Sequence, residues 1–366
     1  MQTTSPLTIG VLFGGRSGEH EVSLQSARSV LAALDKEKYR LVEIGITKEG
    51  AWLSGKNALQ ALMDGNTTDL TPVTLLPDPT RPGLRNLDSG TLFTGLDVIF
   101  PVLHGTFGED GTLQGLLEMA GLAYVGPGVT GSAVGMDKDL FKSVMRASGI
   151  PVVDWVILRR SELESDIQGV IAHIETALEG HYPLFVKPAN LGSSVGITKC
   201  RARSDLYEGL LEAARYDRRI LVEKGVNARE IEISVLGNDE PQASIPGEIR
   251  PAADFYTYEA KYQDERSTLL IPAPLSEAEI NRLRQLAIQA YKAIDCAGMA
   301  RVDFLLERET GTAYLNEVNT IPGFTQISMY PKLWAASGIP YSELLDRLIA
   351  LALERKAERQ KTIYTR

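Results

Sequence analysis

The segment from Gly298 to Phe324 restricts the possible fold more than any other stretch of the chain. Two apolar runs flank a polar turn around Glu309-Thr310-Gly311, the pattern of a β-hairpin followed by the glycine turn Pro322-Gly323. Side chains alternate faces along a strand, so Arg301 and Asp303 share a face of the first strand, as Glu317 and Asn319 do of the second. A hairpin centred on Thr310 sets Asp303 opposite Glu317 and Arg301 opposite Asn319, with Cβ atoms roughly 4.5–5.5 Å apart. Val302, Phe304, Leu315 and Val318 fit burial on the other face. An oxygen-rich trio of Asp303, Glu317 and Asn319 repels itself unless a cation neutralises it. Carboxylates and an amide without His or Cys suit a hard ion such as Mg²⁺, which works with substrate phosphates instead of a complete protein cage. The hairpin therefore points to a magnesium nucleotide; the competing reading is a solvated polar face.

At 366 residues the chain has room for two or three domains with real cores. Its hydrophobic (44%) and charged (23%) fractions are those of a globular protein, and a net charge of −9 argues against nucleic-acid and anionic-membrane partners. Cys200 and Cys296 have no metal-binding spacing, which suggests buried thiols in a reducing cytoplasm, a disulfide being the alternative. No secretory leader or membrane-length apolar run is visible.

Residues 7–13 form an apolar run that ends in Gly14-Gly15, and helix-spaced apolar residues follow from Glu21 to Leu34. This strand, glycine loop and helix opens a parallel α/β domain. Glu21 at the helix start could receive a ligand amine, or simply favour the helix terminus. A second buried strand, 97–103, leads into His104, at the strand end where ligands of open α/β sheets gather; a structural histidine is the alternative. Residues 64–95, rich in Pro, Gly, Asp and Thr, read as an irregular surface connection.

Beyond Gly126-Pro-Gly128 the texture changes to helices bearing Lys138 and Lys142, and a domain boundary is expected near 127–135. The strand Pro183–Pro188 carries Lys187 into a loop with Gly192, Ser193, Ser194 and Gly196, whose backbone N–H groups could close over phosphates. An ordinary hairpin turn is the alternative. Ile220–Lys224 is a strand at an interdomain edge, where backbone carbonyls could take an adenine amino group and Glu223 and Glu230 could hold ribose hydroxyls. Residues 254–266, containing Lys261 and Tyr262, match neither period and suit a lid. Ser276–Ile294 is a packing helix with a Ser276/Glu279 capping box, and Tyr341–Arg355 a closing helix.

Lys187 before Gly-Ser-Ser, Glu223-Lys224, Asp303 and Glu317-Val-Asn319 together resemble the ATP-grasp ligases. The longer motifs, Glu19-His-Glu21-Val-Ser-Leu24, Gly108-Glu-Asp-Gly111, Gly192-Ser-Ser-Val-Gly196 and Asn316 to Phe324, are similar to those of the D-alanine–D-alanine ligase family. The resemblance spans nearly the whole chain. It implies a three-domain α/β ATP-grasp fold: an N-terminal parallel-sheet, Rossmann-like domain (1–134), a central domain (135–222) and a C-terminal catalytic domain (223–366) with the 254–266 lid.

The implied activity joins two D-alanines through an acylphosphate at the expense of ATP, for peptidoglycan precursors, in a cytoplasmic homodimer. A D-Ala-D-lactate or D-Ala-D-Ser ligase is the alternative, and the Lys261-Tyr262 pair looks like the dipeptide-forming type. By the same resemblance Lys138, Lys187, Ser194, Glu223, Lys224, Val226, Glu230, Lys261, Asn316 and Glu317 serve ATP, while Asp303, Glu317 and Asn319 serve two Mg²⁺ or Mn²⁺ ions. Glu21, Ser193 and Tyr262 orient the first D-alanine, with His104 on the ligand side. Arg301 and Gly323 face the oxyanion, and Ser328 with the Met329 backbone clamps the second carboxylate.

Overall fold

Apolar runs and their turns divide the chain among three sheets. The computed structural model describes residues 6–192, 195–250 and 268–364. The first sheet holds β1 (Leu7–Gly14), β2 (Tyr39–Ile46), β3 (Trp52–Ser54), β4 (Thr71–Leu75), β5 (Leu84–Asn86), β6 (Leu92–Thr94), β7 (Val98–Pro101) and β8 (Ala123–Tyr124). Their spatial order is β6-β5-β4-β3-β2-β1-β7-β8. β1 lies parallel to β2 and β7, and β7 to β8. The expectation of a parallel sheet holds only for these four, since β3 to β6 extend it antiparallel.

Residues 64–95 are correspondingly not an irregular connection. They contain β4, β5 and β6, with Val73, Leu75 and Leu84 buried. Strands of three to five residues are too short to impose a visible period of two on a stretch whose turns are full of Pro, Gly and Asp.

The second sheet, ordered β11-β10-β12-β9, comprises β9 (Trp155–Arg159), β10 (Leu184–Pro188), β11 (Thr198–Cys200) and β12 (Arg219–Lys224), all antiparallel. The third comprises β13 (Ala228–Gly237), β14 (Gln242–Ala243), β15 (Gly247–Arg250), β16 (Thr268–Leu270), β17 (Gly298–Glu307) and β18 (Ala313–Asn319). Its main order is β16-β15-β13-β17-β18. The helix Glu277–Ala293, started by the expected Ser276/Glu279 capping box, buries Leu283, Ala287, Ala290 and Tyr291 against Ile231, Ile233, Val302, Phe304 and Leu315 on the back of this sheet.

The β17–β18 pairing is the expected one: Arg301 faces Asn319 and Asp303 faces Glu317. The route differs. Beyond Phe304 the register is Phe304–Leu315, Leu305–Tyr314 and Leu306–Ala313, so the loop is centred between Glu309 and Thr310. Gly311 accepts a φ of +70° there. The two registers are joined by a bulge in which Asn316 is the extra residue of β18. Without it, Leu315 and Glu317 would share a face; with it, Leu315 is buried and Glu317 stays on the polar side.

One core spans distant parts of the chain. Ile9, Val11, Phe13, Val98 and Phe100 of the first sheet pack with Phe324, Tyr330 and Trp334, and with Leu344, Leu345, Leu348, Ile349 and Ala352 of the helix Tyr341–Arg359. Among the described residues no helix is long and apolar enough to cross a membrane.

Phe304 is 1% exposed behind the polar face. Its replacement by Ala should cost about 3–5 kcal/mol of stability through the cavity left behind. Chemical denaturation of the variant beside the parent protein measures this.

Candidate active site

Period-two alternation on three neighbouring strands builds the floor of the site. Directly opposed residues of antiparallel strands point the same way, so Glu232 of β13, Asp303 of β17 and Glu317 of β18 form a row. Ser234, Arg301 and Asn319 form the next row. Arg301 grips Asp303 with two bonds, Nε to Oδ1 at 2.8 Å and Nη2 to Oδ2 at 2.7 Å, and its Nε also lies 3.0 Å from Glu232. Asn319 donates its amide to Asp303 at 2.8 Å and to Glu317 at 3.4 Å. Three carboxylates around one guanidinium leave this stretch of floor with a formal excess of two negative charges (−3 + 1).

Among the described residues no three His, Cys, Asp or Glu side chains form a metal cage. Asp303, Glu317 and Asn319 offer two carboxylates and an amide. This partial set of hard oxygen donors, beside surplus negative charge, fits Mg²⁺ or Mn²⁺ arriving with nucleotide phosphates.

The second sheet contributes the basic side. Register places Phe185 of β10 opposite Glu223 of β12, which brings Lys187 two residues along the same face as Phe185. Glu223 is buried, with Lys187 on one carboxylate oxygen and Lys142 on the other at 2.9 Å. Burial alone pushes a carboxyl up, but the two ammonium groups override it and hold Glu223 down at about 2. Desolvation lowers the Lys142 ammonium below its ordinary value, against the pull of Glu223. Glu223 is thus a buried counter-ion that holds the two lysines beside the cleft, so the alternative of simple surface exposure does not hold for it. Lys138 opens the helix Lys138–Ala147, capped by Asp137, and its ammonium bonds the carbonyl of Leu191. Lys224 ends β12 paired with Glu179 at 2.9 Å.

The first sheet and the turn after β18 close the far end. His104 is buried three residues past β7. Its Nδ1 donates to the carbonyl of Ile321 at 2.9 Å, and its Nε2 lies 3.0 Å from the hydroxyl of Ser26. Both ring nitrogens are engaged by protein groups. Burial, opposed by the nearby Glu19 charge, pushes the ring below its ordinary value, which suits the neutral Nδ1–H form. Ser328 bridges back to Thr325, accepting its N–H at 3.2 Å, immediately before the helix Met329–Ala336.

All expected site residues that fall among the described ones border a single cleft of about 1590 Å³. They are Glu21, His104, Lys138, Lys187, Glu223, Lys224, Val226, Glu230, Arg301, Asp303, Asn316, Glu317, Asn319, Gly323, Ser328 and Met329. Ser193, Ser194, Lys261, Tyr262 and the 254–266 loop lie outside the described residues.

Glu21 stands at the rim, 65% exposed and paired with Lys48 at 2.7 Å. The carboxylate turned inward is Glu19, 9% exposed and bordering the same cleft. Glu19 stands just before the helix His20–Ala33 and Glu21 in its first turn, so the two side chains leave the backbone in different directions. The choice depends on where the helix begins. Glu109, Glu232 and Lys142 were also missed. Alternation along Arg229-Glu-Ile-Glu-Ile-Ser234 was the signal available for Glu232, while Glu109 and Lys142 depend on tertiary packing.

Glu223→Gln leaves two ammonium groups without their buried counter-charge and should cost about 3–5 kcal/mol. Because the folded carboxyl is held below its unfolded value of 4.5, its contribution is complete above pH 4.5 and disappears as pH falls towards about 2. Unfolding curves of parent and variant should therefore converge over that acid range.

Comparison with known proteins gives consistent matches over the length of the chain. The family model described as the D-ala D-ala ligase N-terminus matches residues 8–127, and that of the C-terminus matches residues 144–350. The D-alanine--D-alanine ligase of Natranaerobius thermophilus is 50% identical over 356 residues, covering 97% of each chain. The solved D-alanine-D-alanine ligase from Coxiella burnetii superposes with a TM-score of 0.85 at 41% identity, over 98% of this chain and 97% of that one. The D-Ala:D-Ser ligase from Enterococcus faecalis gives 0.84 at 35% identity, over 95% of this chain and 100% of that one.

Proposed function

This chain belongs to the D-alanine–D-alanine ligase family and is an ATP-dependent ligase that joins two D-alanines, and on that premise we propose how its residues divide the work. The observation that carries the assignment is the single cleft with Lys138 and Lys187, the latter on the second sheet, on one side and the carboxylate row of the third sheet on another.

Lys138 and Lys187 hold the ATP phosphates, joined by Ser194. Glu223 keeps Lys187 in place, and Lys224, Val226, Glu230 and Lys261 form the purine and ribose side. Asp303, Asn316, Glu317 and Asn319 receive the metal-bearing phosphates. Bound Mg²⁺ or Mn²⁺, with two ions expected, would supply charge neutralisation on the transferring phosphoryl group. The first D-alanine is oriented by Ser193 and Tyr262 together with Glu19, which takes the inward place expected of Glu21. Its carboxylate oxygen attacks the γ-phosphorus, the bond to the leaving ADP oxygen breaks, and an acylphosphate forms.

The second D-alanine, clamped at its carboxylate by Ser328 and the Met329 backbone, attacks the acyl carbon with its neutral amine. Arg301 and the Gly323 backbone stabilise the tetrahedral oxyanion until inorganic phosphate departs and the amide is complete. Loop 254–266 excludes the water that would hydrolyse the acylphosphate. The family resemblance further supports division into domains 1–134, 135–222 and 223–366 and a homodimer. The two free, buried cysteines support a cytoplasmic setting.

Glu317→Gln should abolish metal-dependent ADP release while leaving the unfolding transition intact. Unchanged turnover would remove Glu317 from the metal site. Supplying D-Ala, D-Ser and D-lactate in competition and quantifying the products tests the second substrate, with D-alanyl-D-alanine expected to predominate.

A further inference from the structure

Glu109 has no part in the reaction just described, yet its carboxyl group joins two segments far apart in sequence. One oxygen accepts the N–H of Gly105 at 2.6 Å, and the other accepts the N–H of Ile321 at 3.0 Å. Ile321 follows β18 and precedes Pro322-Gly323, the turn whose backbone is assigned to the oxyanion. The carbonyl of the same residue is held by His104 at 2.9 Å. Both polar groups of Ile321 are therefore bound by side chains from the one loop that follows β7.

The loop itself is tightly set. A Cβ at Gly105, whose φ is +75°, would meet Glu19 Oε2 at 2.8 Å, and one at Gly108 would stand 2.6 Å from the Leu103 carbonyl. On the other side of the turn, the Phe324 N–H reaches Ser26 at 3.3 Å and the Phe324 carbonyl accepts from Tyr341. The Phe324 ring packs edge-on against Phe100 with centroids 5.9 Å apart. Pro322 and Gly323 are thus suspended between two fixed residues, and Glu109 secures the one on the β18 side.

We propose that Glu109 is a positioning residue for the ligation step: its two oxygens lock the loop after β7 onto Ile321 and so set where the Gly323 backbone meets the oxyanion. The inference rests on the assignment of Gly323 above. Its chemistry requires two acceptors on one short side chain. Glutamine keeps the shape but offers one acceptor, so its NH₂ group must oppose one of the two backbone donors. Phosphoryl transfer to the first D-alanine does not use the turn and should be spared.

The test compares the parent enzyme with E109Q and E109A. D-Ala-dependent positional isotope exchange in ¹⁸O-labelled ATP reads acylphosphate formation, and D-alanyl-D-alanine production reads ligation. Backbone hydrogen exchange at Ile321 reads the clamp itself. The expected result for E109Q is a loss of at least tenfold in kcat for dipeptide, isotope exchange and KM for ATP within twofold of parent, and faster exchange at Ile321. Acetate or formate should partly restore kcat in E109A.

Parental ligation by E109Q would overturn the proposal, as would an equal loss of isotope exchange and ligation. Unchanged protection at Ile321 would overturn it even if E109A failed to fold. The assignment of Gly323 stands or falls separately, on whether G323A, whose Cβ would meet only the Ser328 side chain, lowers kcat for dipeptide without slowing isotope exchange.

Discussion

The guanidinium of Arg301 is the group on which the polar face of the third sheet depends. Strand pairing forces Glu232, Asp303 and Glu317 into one row, and three carboxylates side by side would push the strands apart. A planar, permanently charged fork can hold Asp303 through two bonds and still contact Glu232, which a point charge such as lysine cannot do. In the proposed reaction the same fork also faces the negative charge that develops on the reacting carbonyl. Structural and chemical demands therefore fall on one side chain.

The basic side follows a complementary logic. Glu223 lies between Lys142 and Lys187 and keeps two ammonium groups close together in a poorly hydrated place. In the proposed reaction the charge that meets the phosphates is in this way organised beforehand, so little rearrangement is required when charge builds up in the transition state.

How far the sequence disclosed this site varied with the range of the interactions involved. The Arg301–Asn319 and Asp303–Glu317 pairs were legible because side-chain alternation is a local property of strands. The bulge was not read, although the polar doublet Asn316-Glu317 between Leu315 and Val318 breaks the alternation visibly. Which of Glu19 and Glu21 turns inward was not legible because the motif contains both, and the orientation of each depends on where the helix starts, a boundary that pattern alone locates only to within a residue or two. The strands within residues 64–95 were hidden by their brevity. The lysine partners of Glu223 were not read, since a buried lysine on a helix 81 residues earlier cannot be inferred from β12. The nucleotide and substrate roles came from family resemblance, which carries information that alternation and composition lack.

The helix Tyr341–Arg359 covers the core of the first sheet, with Leu344, Leu345 and Leu348 fully buried there. During synthesis the opening β-strands must consequently emerge with an uncovered apolar surface that is sealed only when residues more than 300 positions later have left the ribosome. The first sheet is among the last parts to be finished, and its exposed interval is where a chaperone would have the most to protect.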